Sequence, residues 1–375
     1  YRAAIAEAPP AAHFRKLDGL TVSSIGLGTY LGDETDAFDR RYGAAIVDAV
    51  NLGCNLFDTA INYRAQRSER VLGHALAALV REGVFQREQL VVCTKGGYLP
   101  FDGTFPADPA RYVHDTYVRT GILSPDDVVG DAHAMTPRYL ADQLDRSLGN
   151  LGVRCIDVYY LHNPETQLGA VGRAEFLARI RAAFAFLEEQ VAAGHIGRYG
   201  VATWNGLRKP PDAPEHLSIT VATANVIAAW PDGNDDVIGA RQVREAEAVG
   251  GAGHHFKVIQ LPYNLAMPEA YARATQVVGG ERLTAVEAAA RLGLSVIASA
   301  SILQGQLARP LPPAIAEAFA DLATPVQRAL QFVRSTPGIT SALVGMSQRE
   351  HVTENLGVGR RAPATEAVRG LFREA

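Results

Sequence analysis

Cysteine and lysine are scarce in this chain of 375 residues, and long uninterrupted apolar runs are absent. The three cysteines, Cys54, Cys93 and Cys155, lie far apart in or beside apolar segments, which predicts reduced core residues rather than a disulfide or zinc framework. A bilayer-spanning helix needs about 20 consecutive apolar residues, so no membrane span is expected. The first residues contain neither a basic segment nor a long apolar one, so we expect no secretory signal and a cytoplasmic location.

The charge balance argues against a nucleic-acid partner. Lys and Arg total 36 against 40 Asp and Glu, giving a net charge of −4 without the basic excess of a nucleic-acid-binding surface. Hydrophobic residues make up 47% and charged residues 20%, which is a globular composition. The only lysines are Lys16, Lys95, Lys209 and Lys257, so a lysine at the end of an apolar strand is a feature to examine.

Eight short apolar runs alternate with longer amphipathic segments. The runs are rich in Val, Ile, Leu and Tyr, which is typical of strands buried on both faces of a parallel sheet. Several helical segments begin with Ser or Thr and most end near Gly, and we predict Ser68 and Thr136 as N-caps. The apolar runs cover residues 25–29, 54–60, 90–95, 156–162, 196–204, 257–264, 294–301 and 339–345.

This alternation predicts an α/β fold, a (β/α)8 barrel of the TIM type. A doubly wound sheet is the alternative, but the stretch GLGTYLGDET after the first strand lacks the G-x-G-x-x-G loop of a dinucleotide-binding sheet. Asp18-Gly19 between two short apolar runs predicts an N-terminal β-hairpin that plugs the bottom of the barrel. We expect residues 1–12 to be a loose arm and residues 13–375 to form a single barrel domain.

Two long segments, residues 98–134 and 206–256, interrupt the alternation. Loops of this length usually carry short elements or a function. Because each follows a strand, we expect both on the catalytic face of the barrel, where they shape a substrate pocket. Decorative insertion or an oligomer contact is the alternative. The candidate pocket residues are Tyr98, Tyr117, His133 and Trp204.

Four ionisable side chains follow successive strands: Asp58 and Tyr63, then Lys95, then His162. A tyrosine is a poor acid at neutral pH because its pKa is about 10, and a nearby ammonium lowers that pKa. A carboxylate beside the lysine keeps the lysine charged and in place. We therefore predict that Tyr63 protonates a carbonyl oxygen that His162 orients. The hydride has to come from a cofactor, because no side chain supplies one.

The sequence resembles the aldo-keto reductase superfamily through motifs that follow one another in family order along most of the chain. The resemblance implies a catalytic tetrad of Asp58, Tyr63, Lys95 and His162, and a nicotinamide cofactor bound in extended form without a Rossmann domain. The motifs are GLGTY, FDTAINY followed by SERVLG, VVCTKGG, LDRSLGNLGVRCIDVYYLHNPE, GRYGVATW, VIQLPYN and ITSALVGMSQREHVTENL.

The resemblance also implies which residues bind the cofactor. Gln260 matches the glutamine that contacts the nicotinamide carboxamide, and Glu354 and Asn355 match the pair that contacts adenine. The other implied contacts come from loops after the strands: Gly28, Thr29, Tyr30, Thr203, Asn205, Ser299, Ile302, Gln304, Gly305, Leu307, Gly345, Ser347 and Arg349.

Some positions depart from the family pattern. After the fifth strand the family usually has Ser-Asn, and here we expect Thr203 or Asn205 to replace it as a partner of the carboxamide. Ser299 stands where an aromatic residue usually stacks on the nicotinamide. Gly345 takes the usual basic position near the 2′-phosphate, and only Arg349 is close by. Because arginine binds phosphate well, NADP(H) is favoured over NAD(H).

The leading hypothesis is an NAD(P)H-dependent oxidoreductase that interconverts a carbonyl and an alcohol, with Tyr63 as general acid and base. A protein of the same fold that binds NADP(H) without net reduction, such as a regulatory subunit or a lyase or epimerase, is the alternative. A Schiff-base aldolase is disfavoured because Asp58 and Tyr63 favour a charged Lys95, whereas the amine nucleophile must be neutral. A metal hydrolase is disfavoured because His254 and His255 lack a matching carboxylate set. Metals and membranes are not expected, and the substrate, the reaction direction and the oligomeric state stay open.

Overall fold

A β-hairpin closes the lower end of the molecule. The computed structural model describes residues 1–219 and 240–373. Strands β1 (Phe14–Leu17) and β2 (Leu20–Ser23) pair antiparallel around Asp18 and Gly19, whose φ angles of 40° and 84° are the left-handed values that an Asp-Gly turn adopts. The fully buried side chains of Leu17 and Val22 pack into the barrel interior. The predicted plug is therefore confirmed.

The eight predicted apolar runs form one closed parallel barrel. Each barrel strand pairs with the next one along the chain, and the last pairs with the first, as in Ala342 opposite Ile25. An open doubly wound sheet is thereby excluded. The barrel consists of β3 (Ile25–Gly28), β4 (Leu56–Asp58), β5 (Val91–Gly96), β6 (Val158–His162), β7 (Tyr199–Ala202), β10 (Phe256–Pro262), β13 (Ser295–Ser299) and β14 (Ile339–Gly345). The other described strands are β8 (Leu217–Ser218), β9 (Ala240–Arg241), β11 (Gln276–Val278) and β12 (Glu281–Leu283).

Helices surround the barrel, and most of them bury apolar side chains in the main core. Thr136 caps its helix, as predicted, by accepting a hydrogen bond from the Tyr139 N–H. The prediction for Ser68 is wrong, because the helix begins at Arg67 and Gln66 is at its N-cap. The Ser68 hydroxyl instead donates to the Thr29 carbonyl. The helices are α1 (Asp36–Asn51), α2 (Arg67–Arg81), α3 (Pro109–Val113), α4 (Pro137–Leu151), α5 (Arg173–Ala192), α6 (Gln242–Gly250), α7 (Glu269–Ala272), α8 (Ala285–Arg291), α9 (Pro313–Ala318), α10 (Pro325–Ser335), α11 (Arg349–Gly357) and α12 (Thr365–Arg373).

Residues 1–12 are anchored to the rest of the chain at Tyr1 and Ile5, whereas the sequence predicted a loose arm. The Tyr1 hydroxyl donates to the carbonyls of Val50 and Cys54, at 2.6 and 2.9 Å. Ile5 is buried in the main core. The Ala/Pro-rich composition of this segment did not indicate these two contacts, because each depends on a single side chain.

The first long insertion, residues 98–134, is a small folded unit. It contains α3 and a π-helical turn over His114–Val118, and with the start of α4 it has a core of its own that includes Leu99, Tyr117 and Leu123. The second insertion, 206–256, carries β8, β9 and α6; its residues 220–239 lie outside the described part of the chain. In the described ranges no helix is long and apolar enough to cross a membrane.

Candidate active site

A cavity of about 750 Å³ lies at the carboxyl ends of the barrel strands. All eight strands run in the same direction, so the loops that follow them meet at one end of the barrel, where sites of this fold form. The predicted site residues that line the cavity are Gly28, Thr29, Tyr30, Asp58, Tyr63, Tyr98, His162, Thr203, Trp204, Gln260, Ser299, Ile302, Gln304, Gly305, Gly345 and Ser347. Those that do not line it are Lys95, Tyr117, His133, Asn205, Leu307, Arg349, Glu354 and Asn355.

Lys95 lies just behind the cavity wall, in a buried ion pair. Its Nζ donates to Asp58 Oδ1 at 2.5 Å and to the Thr59 carbonyl at 2.8 Å. The same Nζ is 4.8 Å from the centre of the Tyr63 ring. Asp58 ends β4 and Lys95 is on the adjacent β5, so the strand pairing brings these side chains together. Three of the four predicted tetrad residues thus form one contiguous group.

The charges of this group follow from its burial. Burial alone would lower the pKa of Lys95, but the Asp58 carboxylate and the Tyr63 hydroxyl outweigh burial and raise it, so the ammonium form is retained. Burial raises the pKa of Tyr63, and the lowering effect of Lys95 does not outweigh it. The expected net decrease of the Tyr63 pKa is therefore wrong for the protein alone. Tyr63 keeps its proton at neutral pH.

His162 completes the tetrad as a neutral imidazole. Its ring lies edge-on to the Tyr63 ring, with centroids 5.8 Å apart, and edge-on to Tyr98, at 5.0 Å. Burial, followed by the charges of Lys95 and His133, lowers the pKa of His162 well below its ordinary value. Its Nδ1 is buried without a hydrogen-bond partner. A neutral imidazole at this place can donate a hydrogen bond from only one ring nitrogen.

Gln260 is tied to the tetrad. Its Nε2 donates to Asp58 Oδ2 at 2.6 Å, so the two carboxylate oxygens of Asp58 hold Lys95 on one side and Gln260 on the other. The resemblance implied a contact between Gln260 and the nicotinamide carboxamide. The structure places Gln260 at the cavity wall but commits its amide nitrogen to Asp58.

Two of the predicted pocket residues are not in the pocket. Tyr117 is fully buried in the core of the first insertion, where its hydroxyl donates to the Pro100 carbonyl at 3.2 Å. His133 is also buried, and its Nε2 lies 2.7 Å from the His162 carbonyl oxygen. The insertion turns both side chains inward, because they hold its base together and join it to β6. The other two candidates, Tyr98 and Trp204, do line the cavity.

The structure differs from the expectation that Arg349 contacts the 2′-phosphate of the cofactor. The Arg349 guanidinium makes a bidentate ion pair with Asp48 of α1, at 2.8 and 2.9 Å, and is 75% exposed. The neighbouring residues in the chain that line the cavity are Gly345, Ser347 and His351. His351 was missed by the sequence analysis, although its place in the first turns of α11, three residues before Glu354, was a usable signal.

The remaining residues implied by the resemblance, which do not line the cavity, are Glu354, Asn355, Leu307 and Asn205. Glu354 accepts a hydrogen bond from the Thr324 hydroxyl at 2.6 Å, and Asn355 is buried with its Oδ1 unpartnered. Asn205 directly follows the lining residue Trp204, and Leu307 lies two residues after the lining residue Gly305. The lining residues that the sequence analysis did not identify are Leu31, Phe38, Tyr42, Asn62, Asn163, Ala202, Ala300, Ser301, Leu343, Val344 and His351. Most of them lie at or soon after the end of a barrel strand, which is the signal that could have found them.

The donor set of the site is not that of a metal centre. Within residues 1–219 and 240–373, no group of three or more His, Cys, Asp or Glu side chains is arranged to hold a metal ion. The tetrad instead combines one ammonium, one carboxylate, one phenol and one imidazole. Such a set can transfer a proton to an oxygen atom and stabilise the charge left behind.

Comparisons with known proteins match the sequence of this chain to one family. The model of the aldo/keto reductase family matches residues 24–226. The NADH-specific methylglyoxal reductase of Escherichia coli (strain K12) is 29% identical over 191 residues, which cover 49% of this chain and 49% of that protein. The match thus spans about half the length of this curated relative. A putative voltage-gated potassium channel subunit beta of Schizosaccharomyces pombe is 22% identical over 357 residues, covering 90% and 85% of the two chains.

Among solved structures, an aldo/keto reductase from Klebsiella pneumoniae in complex with NADP and acetate aligns over 96% of this chain and 95% of its own. The TM-score is 0.57 and the sequence identity 19%. At this identity the likeness shows the fold, and it agrees with the closed barrel described above.

Proposed function

This chain belongs to the aldo/keto reductase family, and from that premise we propose that it is an NAD(P)H-dependent oxidoreductase that interconverts a carbonyl and an alcohol. The observation that carries the proposal is the buried Lys95–Asp58 pair directly beneath the Tyr63 ring, with His162 at its edge. All four side chains lie at or just behind the wall of one cavity.

The residues around the cavity fit a nicotinamide dinucleotide. Gly28 and Gly345 are paired between β3 and β14, and a Cβ on either one would have its nearest neighbour, a single backbone oxygen, 3.9 Å away. Because Gly28 and Gly345 have no side chains, the cavity is open where β3 pairs with β14, and side chains at these two positions would fill that part of it. Asn355, the implied adenine contact, has a buried and unpartnered Oδ1. When bound, the nicotinamide supplies the hydride that no side chain can supply.

Tyr63 acts as the proton donor in this proposal. It holds its proton at neutral pH, and the Lys95 ammonium stabilises the phenolate that remains once the proton has passed to the substrate oxygen. Asp58 keeps Lys95 charged and fixed in place. The neutral His162 imidazole orients the same oxygen by a hydrogen bond. In its protonated form Tyr63 can act as the acid for carbonyl reduction, and the phenolate form of the same group would act as the base for alcohol oxidation.

The test is to replace Tyr63 by Phe and follow NADPH consumption with a panel of aldehydes and ketones. The panel includes methylglyoxal, since the E. coli relative is named for its reduction. We expect kcat to fall by about 10²–10⁴-fold, the usual contribution of a positioned general acid, while NADPH binding is retained. Tyr98→Phe is the matched control, because Tyr98 lines the same cavity but its hydroxyl pairs with Thr166. Unchanged turnover in Tyr63→Phe would refute the mechanism.

For the cofactor form, we propose NADP(H) over NAD(H), with Arg349 as the 2′-phosphate partner. Arg349 is exposed, and exposed ion pairs are weak, so its guanidinium can exchange Asp48 for a phosphate at the same end of the cavity. Asp48→Asn should then tighten NADPH binding by about threefold to tenfold without changing NADH binding, and Arg349→Gln should remove the preference. Equal Kd ratios in wild type and both variants would contradict this assignment.

A second candidate function is cofactor binding without net reduction. Two observations favour it: Ser299 rather than an aromatic ring lines the cavity, and a relative matched over 90% of this chain is named as a putative channel subunit. Nucleotide retained through purification, with no carbonyl-dependent NADPH consumption, would support it over reduction. We also propose a cytoplasmic location, because Cys54, Cys93 and Cys155 are all free thiols.

A further inference from the structure

One carboxylate oxygen organises the turn that follows β7. Oε1 of Glu165 accepts hydrogen bonds from the Thr203 hydroxyl at 2.6 Å and from the backbone N–H groups of Trp204, Asn205 and Gly206, at 2.9, 3.0 and 3.3 Å. Glu165 lies in a 3₁₀ helix over Pro164–Gly169, which follows β6, the strand that pairs with β7. The turn is therefore held from outside by a residue about 40 positions earlier in the chain.

The Glu165 carboxyl is almost entirely buried in the protein. Its side chain is 5% exposed, and its second oxygen, Oε2, is buried without a partner. Burial raises the pKa of Glu165, while the hydrogen bonds from Thr203 and the turn oppose that rise. All four hydrogen bonds are accepted by Oε1, so the donors are not divided between the two carboxylate oxygens as they are in a surface carboxylate. Its hydrogen bonds serve the turn alone.

This turn carries two residues of the cavity wall. The Thr203 hydroxyl donates to Glu165 and also accepts from the Gly206 N–H at 2.8 Å, so its proton is already used. The Thr203 hydroxyl therefore bonds within the turn, whereas the sequence predicted Thr203 or Asn205 as a partner of the carboxamide. Trp204 follows, lines the cavity and is 41% exposed, so its indole lies at the rim without dense packing to fix it. Its position depends on the backbone of the turn.

We infer that Glu165 is a positioning residue that fixes the turn over residues 203–206 and thereby holds the Trp204 indole at the cavity rim, where it selects substrates by their apolar bulk. The selectivity part of this inference rests on the proposed reductase function. The structural part, the hold on Trp204, does not depend on it. The two parts have separate measurements.

The structural part is tested by fluorescence. Trp204 and Trp230 are the two tryptophans of the chain, so Trp230→Phe leaves Trp204 as the only reporter. In that background Glu165→Gln places an NH2 group where Oε2 is now buried without a partner, and replaces a charged acceptor by a weaker neutral one. We expect fast segmental motion of Trp204 in time-resolved anisotropy, and an acrylamide quenching constant about twofold higher. Glu189→Gln, the same change at an exposed site on α5, is the control.

The selectivity part is tested by a comparison of two substrates. For 4-nitrobenzaldehyde we expect Glu165→Gln to raise KM about tenfold with kcat reduced less than threefold, because binding at the rim is lost and the tetrad is untouched. For propanal, which has much less apolar surface to place against the indole, both constants should stay within about twofold. Trp204→Ala should give the same split, and Glu165→Asp, which keeps the charge, should recover part of the wild-type value.

Each result bears on one part. If Trp204 anisotropy and quenching in folded Glu165→Gln equal those of the control, the positioning role is wrong. If they change but both aldehydes are affected alike, the selectivity role is wrong. Should Glu165→Gln fail to fold, Thr203→Val removes one of the four donors and must loosen Trp204 in the same assay. If wild type reduces no carbonyl, the proposed function fails while the fluorescence result still decides the hold on Trp204.

Discussion

The buried Lys95–Asp58 pair should contribute to stability and to catalysis in separable ways. The Lys95 and Asp58 side chains are only 1% and 6% exposed. Removing one member of such a pair leaves a buried charge without its partner, which usually costs about 3–5 kcal/mol. We expect Asp58→Asn to lie at the lower end, about 3 kcal/mol, because the asparagine oxygen can still accept a hydrogen bond from Lys95. Lys95→Met should cost a similar amount, with Gln260 still bound to Asp58.

The double variant Asp58→Asn/Lys95→Met removes both charges at once. Two neutral side chains of similar volume leave no unpaired ion. The loss in the free energy of unfolding in the double variant should therefore be smaller than the sum of the two single losses, by about 2 kcal/mol or more. Urea unfolding measures this: with a slope of about 3 kcal/mol per M, each single variant moves the midpoint by about 1 M. Carbonyl reduction should stay at least about 100-fold down in Lys95→Met and in the double variant, because both lack the Lys95 charge that stabilises the Tyr63 phenolate.

Two outcomes would refute this reasoning. Effects that add within about 0.5 kcal/mol would mean that the two charges are not coupled, despite the 2.5 Å contact. Recovery of activity in the double variant along with stability would mean that the pair serves only to hold the barrel together. The Tyr63 proton would then need another source of stabilisation.

Acidification and one glycine substitution give two further predictions. Burial lowers the pKa of His13 to about 3 and of His133 and His216 to about 4, so below pH 6.5 the unfolded chain binds protons that the folded protein does not. The free energy of unfolding should therefore fall by up to about 1.4 kcal/mol per pH unit for each histidine between pH 6.5 and about 4. Urea unfolding at pH 7 and pH 5 measures this, and an equal or higher stability at pH 5 would contradict it. Gly200→Ala should cost about 3 kcal/mol or more in thermal or urea unfolding, because the new Cβ would lie 1.7 Å from the Val258 carbonyl oxygen. Gly149→Ala, in open space on α4, should be neutral or stabilising by up to about 1 kcal/mol, and equal effects at both positions would refute the steric argument.

The barrel and its catalytic group could be predicted because each depends on one strong pattern. Buried parallel strands give continuous apolar runs, and eight of these alternating with helices leave few alternatives. Asp58 and Lys95 end up in contact because both stand at or near the ends of adjacent strands. Strand order alone therefore carries the geometry, without knowledge of any side-chain packing.

What the sequence did not predict depends on three-dimensional balance. The net direction of the Tyr63 pKa is a competition between burial and the Lys95 charge, and no spacing in the chain reports how deeply a ring is buried. His133 could not be distinguished from a pocket residue, because the insertion that carries it folds inward on its own small core. The turn of Arg349 toward Asp48 joins residues 301 positions apart. Such a pairing leaves no trace in local pattern.

The seam between β14 and β3 has a consequence for synthesis. β3 occupies residues 25–28 and β14 residues 339–345, and Arg334 reinforces the join by donating from Nε to the Ser24 hydroxyl at 2.9 Å. A ribosome therefore releases seven barrel strands before the eighth, and throughout that interval β3 and β13 are bare edges that can recruit strands from other nascent chains. Messages truncated before the codon for Ile339 should consequently yield aggregating fragments rather than partly active ones.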